Sequence, residues 1–185
     1  MMAFVESAML PLGTQAPYFE LLNVQNNQTF SLSEINTDYP TVIIFSCNHC
    51  PYVLHINAGL VALANEYIAK NVNFVVISSN DIVRYPQDAP DLMRALALRE
   101  GYPFPYLYDA TQSVAKAYDA ACTPDFYLFD RSLRLVYRGQ MDGSRPNNGK
   151  PVTGEDLRAA LEATLDGLPC ADLQRPSGGC GIKWV

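Results

Sequence analysis

The sequence predicts an α/β protein, a mixed central β-sheet flanked by helices with a β-hairpin in front. Three observations carry this. Thr41–Phe45 and Val72–Ser78 are continuous apolar runs, the pattern of strands covered on both faces. The segment between them, reaching to about Lys70, is amphipathic with helical spacing, so strand, helix and strand form a right-handed parallel βαβ unit. Downstream, Asp125–Asp130 and Leu133–Gly139 alternate as an antiparallel pair turning at Asp130-Arg131-Ser132, which makes the sheet mixed.

Taken in order, residues 1–16 read as a loose arm ending at Pro17. Tyr18–Val24 and Thr29–Leu32 flank the turn-rich Gln25-Asn26-Asn27-Gln28 and form the hairpin. Asp38-Tyr39-Pro40 breaks the chain before the strand Thr41–Phe45. The first helix has a stripe of Val53, Ile56, Leu60, Leu63 and Tyr67, with Pro51 in the first turn, where its missing N–H costs nothing. A loop over Asn80–Pro90 leads to a helix from Asp91 to Glu100, closed by Gly101. A short extended piece, Tyr106–Tyr108, and a brief helix, Ser113–Tyr118, precede the antiparallel pair. Met141–Pro151 is a long loop, and Thr153 with Asp156 resembles a capping box for a last helix over Gly154–Asp166, stopped by Gly167. The tail from Gly167 to Val185 holds two cysteines and the only tryptophan but no periodicity, and it reads as irregular.

A chain of 185 residues without internal repeats reads as one domain, 1–185, large enough to bury a core without disulfide staples. The net charge of −6 comes with no Lys/Arg cluster, which argues against nucleic acid or an anionic membrane as partner. The first residues lack a basic n-region and no apolar run reaches membrane-spanning length, so the expected compartment is the cytoplasm. Five cysteines there point to redox-active or free thiols rather than bridges, and an odd count leaves at least one without an intramolecular partner.

The chemistry centres on Cys47-Asn48-His49-Cys50-Pro51, between strand and helix. A C-x-x-C at that junction puts two thiols on the first turn of a helix, where free N–H groups and the helix dipole favour a thiolate. Cys47 is then the exposed nucleophile and Cys50, one turn inward, the resolving thiol, while His49 adds a positive charge that tunes the pair. Two thiols could instead be ligands of a structural zinc, but such sites take four ligands, and the chain has no second C-x-x-C and only two histidines. No metal and no organic cofactor is expected. His55, five residues past Cys50, is either a proton shuttle or a solvated helix histidine. Cys180, whose Gly-Gly-Cys-Gly setting implies tight backbone packing, is either an auxiliary thiol of the centre or a partner for Cys170.

The order of elements and three stretches resemble the thioredoxin-like redoxin family, its AhpC/TSA and TlpA/ResA-like branch with the extra N-terminal hairpin. CNHCPYV at 47–53 matches the redox motif, and CTPDFYLFD at 122–130 resembles the segment in which that fold places a cis-proline beside the thiols. SRPNNGKPVTGEDLRAAL at 144–161 and PSGGCGIKW at 176–184 resemble a bacterial subgroup of thioredoxin-family proteins. The resemblance implies a cis bond before Pro124, with the Thr123 backbone positioned to pair with a substrate strand next to Cys47. It also implies a rim of Tyr85, Pro86 and Asp88, and Cys122, two residues before that proline, is either a third thiol near the centre or a small buried hydrophobe at a strand start. The chain departs from thioredoxin proper, with Ser46 for the Trp before the first Cys, Asn48-His49 for Gly-Pro, and Thr41 at the buried acid's place.

The expected activity is thiol–disulfide exchange by a Cys47/Cys50 couple, acting on protein or small-molecule disulfides and thiols and recharged by an electron donor. A thiol peroxidase is the alternative. The peroxidase pattern P-x-x-x-T-x-x-C has Pro40 but Ile44 where its threonine belongs. A metal-binding or copper-delivery protein using Cys47, Cys50 and a histidine ranks lower, because copper-chaperone relatives carry C-x-x-x-C.

Overall fold

The computed structural model describes residues 4–185, so residues 1–3 of the expected arm lie outside the described residues. In chain order the strands and helices are β1 (Phe4–Glu6), β2 (Glu20–Asn23), β3 (Gln28–Ser31), β4 (Thr41–Phe45), α1 (Pro51–Ile68) and β5 (Asn73–Ser78). They continue with α2 (Pro90–Glu100), β6 (Tyr106–Tyr108), α3 (Ser113–Ala117), β7 (Cys122–Thr123) and β8 (Asp125–Phe129), then β9 (Leu135–Gly139), α4 (Glu155–Leu165) and β10 (Gly178–Gly181). Seven strands form the main sheet in the order β3-β2-β6-β5-β4-β8-β9. β4, β5 and β6 run parallel, while β8 pairs antiparallel to β4 and β2 antiparallel to β6. The sheet is mixed, as the alternating apolar runs require.

The periodicities account for the packing. All five residues of β4 are buried, because helices and loops cover both faces of this central strand. The predicted stripe of α1 is buried in full: Ile56, Leu60, Leu63 and Tyr67 join Val42, Ile44 and Val76 in one core cluster, and Val53 packs with the cysteines at the start of the helix. Burying each such side chain contributes about 1.5–3 kcal/mol relative to leaving it in water. A second cluster on the opposite face takes Ile43, Phe45, Val75 and Ile77 from the same strands, as the two-residue period dictates.

Three expectations need correction. The arm read as loose carries β1, with Leu10 and Ala16 buried and Gln15 bridged to Arg134. The tail read as irregular carries β10, which pairs antiparallel with β1 on one side and β7 on the other. Together these make a second, three-stranded sheet in the order β1-β10-β7. Its strands are two to four residues long, and β10 is three-quarters glycine, so they give no periodic signal and only tertiary pairing reveals them. The capping box at Thr153/Asp156 is absent. Gly154 is the N-cap of α4 at φ 71°, and the Thr153 and Gly154 N–H groups donate to Asp142 Oδ2 at 2.8 and 2.6 Å.

Candidate active site

The site forms where β4 leaves the sheet. Ser46 N–H still bonds Ile77 O at 2.8 Å, and the chain then turns out over the next four residues. Helix α1 begins at Pro51 with Cys50 as its N-cap, and Cys50 O accepts the first helical bond from Leu54 N–H at 3.0 Å. Cys47 therefore lies three residues ahead of the N-cap rather than on the first turn. The loop is held by its neighbours. Asn48 N–H donates to Asp88 Oδ1 at 2.8 Å, Asn48 Nδ2 donates to Gln87 O at 2.9 Å, and Tyr106 OH donates to Asn48 Oδ1 at 3.0 Å.

Asp88 is the anchor of this arrangement. It is fully buried at the end of the helical turn Pro86–Asp88. Besides Asn48 N–H it accepts Asn80 Nδ2 at 2.8 Å, and His49 Nδ1 lies 2.7 Å from its Oδ2, out of hydrogen-bond alignment. The His49 ring stacks on Tyr85 with centroids 5.5 Å apart and planes 8° from parallel, and its Nε2 is buried without a partner among the described residues. Tyr85, Pro86 and Asp88 do border the loop, but Asp88 is a buried receptor and not a rim residue. Cys47, His49 and Asp88 also bring one potential metal-donor atom each within 4.8 Å of one another.

The sulfurs are not where the motif alone suggests. Cys47 is 1% exposed and Cys50 is fully buried, so Cys47 is not an open nucleophile in this conformation. Cys180 of β10, 3% exposed, packs against both together with Val53 and Tyr52. The thiolate also falls on the other residue. Cys50 accepts the Cys47 S–H and, despite burial, is held at about 5, with help from the Cys180 S–H and the N–H groups of Val53 and Cys180. Cys47 is pushed up by giving its proton to Cys50, then by burial and by the Asp88 charge, while Thr123 Oγ1 at 3.5 Å acts in the opposite direction. The physical reason is position: the N-cap sulfur meets the free N–H groups of α1, and the sulfur three residues earlier does not.

The Thr123–Pro124 peptide bond is cis. Cys50 Sγ lies 3.3 Å from Thr123 O, which brings β7 against the dithiol. The paired edge of Thr123 is taken by Cys180 of the chain's own β10. Cys122 is fully buried, donates to Pro124 O at 3.8 Å, and is pushed up by burial ahead of the Asp125 and Cys50 charges. It stands beside the thiol cluster without joining it. His55 Nε2 pairs with Ser144 Oγ at 2.7 Å, which ties α1 to the loop after β9. Cys170 lies against α4, 3.7 Å from Ala160 O, apart from Cys180. Sequence reasoning missed Asp125, next after Pro124, whose fully buried carboxyl is pushed up to about 7 by desolvation. Ser7 and Tyr127 hydroxyls donate to it.

The model of the AhpC/TSA family matches residues 12–138, more than half of the chain. Two solved structures align over nearly the full length. An uncharacterized conserved protein from Geobacillus kaustophilus shares 59% identity, with TM-score 0.98 over 100% of this chain and 98% of that one. A hypothetical protein from Sinorhizobium meliloti 1021 shares 46% identity, with TM-score 0.95 over 97% and 98%. A thiol:disulfide interchange protein of the thioredoxin family from Chlorobium tepidum TLS shares the fold at 16% identity, TM-score 0.63, over 85% of this chain and 99% of that one. Among curated proteins none matches this sequence. A thioredoxin-like mixed sheet, a dithiol where its central strand meets α1, and this family match lead to one assignment: the chain belongs to the AhpC/TSA family of thioredoxin-like redox proteins.

Proposed function

We propose that the protein is a thiol–disulfide oxidoreductase whose working couple is Cys47/Cys50. The observation that carries this reading is the pair of buried sulfurs converging on Thr123, Cys47 Sγ 3.5 Å from its Oγ1 and Cys50 Sγ 3.3 Å from its carbonyl oxygen, at the start of α1. Cys47 is the attacking residue, because its loop neighbours Asn48 and His49 reach the surface, whereas Cys50 is enclosed by α1 and β10. Passing its proton to Cys50 makes Cys47 the nucleophile. Its sulfur attacks a substrate disulfide, one substrate thiolate leaves, and Cys50 then attacks Cys47 Sγ to release the second. The pair ends as a disulfide, the substrate gains both electrons, and an external dithiol restores the protein. The first substrate thiolate to leave takes up the proton that Cys50 received, which restores Cys50 as the resolving thiolate. A substrate strand pairing with Thr123 replaces β10 at that edge.

Redox titration of the Cys47/Cys50 couple against pH is the test. One thiolate and one thiol in the reduced pair mean one proton per two electrons, so the potential falls by about 30 mV per pH unit above pH 5. A titration lacking a two-electron step, or one unchanged by Cys47→Ser, overturns the reading. Metal binding is a second reading, favoured by the Cys47, His49 and Asp88 cluster. Asp88 already receives Asn48 and Asn80 donors. Stoichiometric zinc uptake lost in Asp88→Asn, by a protein inert to disulfides, favours the metal.

A further inference from the structure

We propose that Cys180 is a third redox-active cysteine of this centre, which exchanges with the Cys47–Cys50 disulfide to form a Cys50–Cys180 disulfide. The proposal rests on the Cys47/Cys50 reading and names a third participant in it. Three buried sulfurs share one cluster, with Cys50 in contact with both of the others. The same residue, Thr123, fixes both sides: it pairs in register with Cys180, and its carbonyl oxygen lies 3.3 Å from Cys50 Sγ.

The flanking glycines supply an independent observation. A β-carbon at Gly179 would overlap the Thr123 carbonyl, and one at Gly178 would overlap the Phe4 ring. At Gly181 it would stand 3.1 Å from Val5 Cγ2. Successive side chains of a strand point to opposite faces, so Gly179 and Gly181 share one face of β10, where they pass close to Thr123 and Val5, and the thiol of Cys180 projects from the other, with Cys50 in its cluster. The two remaining cysteines are engaged elsewhere, Cys122 at Pro124 O and Cys170 on α4.

The exchange balances without any added oxidant. The Cys180 thiolate attacks Cys50 Sγ, the Cys50–Cys180 bond forms as the Cys47–Cys50 bond breaks, and Cys47 leaves as a thiolate that takes up the proton Cys180 lost. The state of Cys50 gates the step. In the reduced protein Cys180 is pushed up to about 12, by burial first and then by donation to Cys50 and its charge. Oxidation removes the last two effects and so lowers the thiol from its value in the reduced protein, with Lys183 acting in the same direction and burial still opposing. The outcome is an oxidised protein with Cys47 free to engage a substrate.

The full chain is oxidised with one equivalent of diamide, quenched in acid, alkylated, digested and mapped by mass spectrometry. Both Cys47–Cys50 and Cys50–Cys180 linkages are expected, the second in about a tenth or more of the oxidised molecules. Cys180 alkylated in every oxidised sample overturns the proposal and leaves the Cys47/Cys50 reading standing. A sample without the Cys47–Cys50 linkage overturns both. In Cys47→Ser treated with glutathione disulfide, a Cys50–Cys180 bond with release of two glutathione thiols is expected. A stable glutathione adduct on Cys50 with Cys180 free overturns it.

Discussion

Asp125→Asn isolates the buried carboxyl behind Pro124. In the folded protein desolvation pushes this group from 3.8 to about 7, against donation from the Ser7 and Tyr127 hydroxyls and two backbone N–H groups. A carboxyl raised on folding stabilises the protein most below its unfolded value, and that contribution is lost as pH rises towards the folded value. The window is therefore about pH 4 to 7. Roughly three pH units at 1.36 kcal/mol each come to an upper bound of about 4 kcal/mol lost by the wild type across that window. Asn keeps the shape, and both hydroxyl oxygens can turn to accept its amide, so the variant lacks this loss. Urea unfolding from pH 4.5 to 8 measures it. The two proteins have similar stability at the acid end, and the variant is the more stable by a few kcal/mol at pH 8. Parallel stability curves for variant and wild type across the window would refute a buried, protonatable Asp125.

Thiolate absorbance against pH is expected to show one inflection near 5 that disappears in Cys50→Ser and persists in Cys47→Ser, shifted upward by loss of the S–H donor. A single inflection lost only in Cys47→Ser would return the thiolate to that residue. Gly179→Ala forces β10 away from the Thr123 carbonyl, so alkylation of Cys180 in the native protein accelerates at least tenfold while the far-ultraviolet spectrum holds. An unchanged alkylation rate would show that β10 accommodates the methyl group. Stopped-flow mixing of the reduced protein is expected to give faster reaction with insulin disulfide than with hydrogen peroxide. Ile44, at the threonine position of the peroxidase pattern, is a buried residue of β4, and a missing donor to the leaving hydroxide typically costs on the order of 10²–10³ in rate. A peroxide reaction the faster of the two, abolished by Cys47→Ser, would reverse that ranking.

The main sheet was legible because burial imposes period on sequence. Thr41–Phe45 is β4 residue for residue, and the five-residue stripe of α1 is buried as spaced. The dithiol was legible from the strand, C-x-x-C and helix order, and the cis bond before Pro124 from the family resemblance of residues 122–130. What the motif could not reveal was the state of the thiols. Whether Cys47 or Cys50 caps α1 depends on backbone angles at the junction, and those are set by Asp88, forty residues away, receiving Asn48 N–H. A lone aspartate in a proline-rich loop has no periodic signature. β10 was hidden for a related reason, since a Gly-Gly-Cys-Gly strand has no alternation to detect.

The small sheet β1-β10-β7 joins Phe4 to Cys180 and so encloses almost the entire chain in one loop. Such a distant closure forms late in folding and has few buried side chains to hold it. It can open as a separate cooperative unit while β4, β5 and β8 stay intact, and amide exchange at β1 and β10 would then report an opening free energy below the global value. The sulfurs are enclosed until it opens, so their observed reactivity is their intrinsic reactivity multiplied by the open fraction. Each 1.4 kcal/mol added to or removed from that local equilibrium changes the apparent thiol reactivity tenfold with no change at the dithiol itself. On the proposed reading, substitutions at Phe4 and Val5 that loosen this sheet are expected to raise the apparent reactivity of the enclosed thiols.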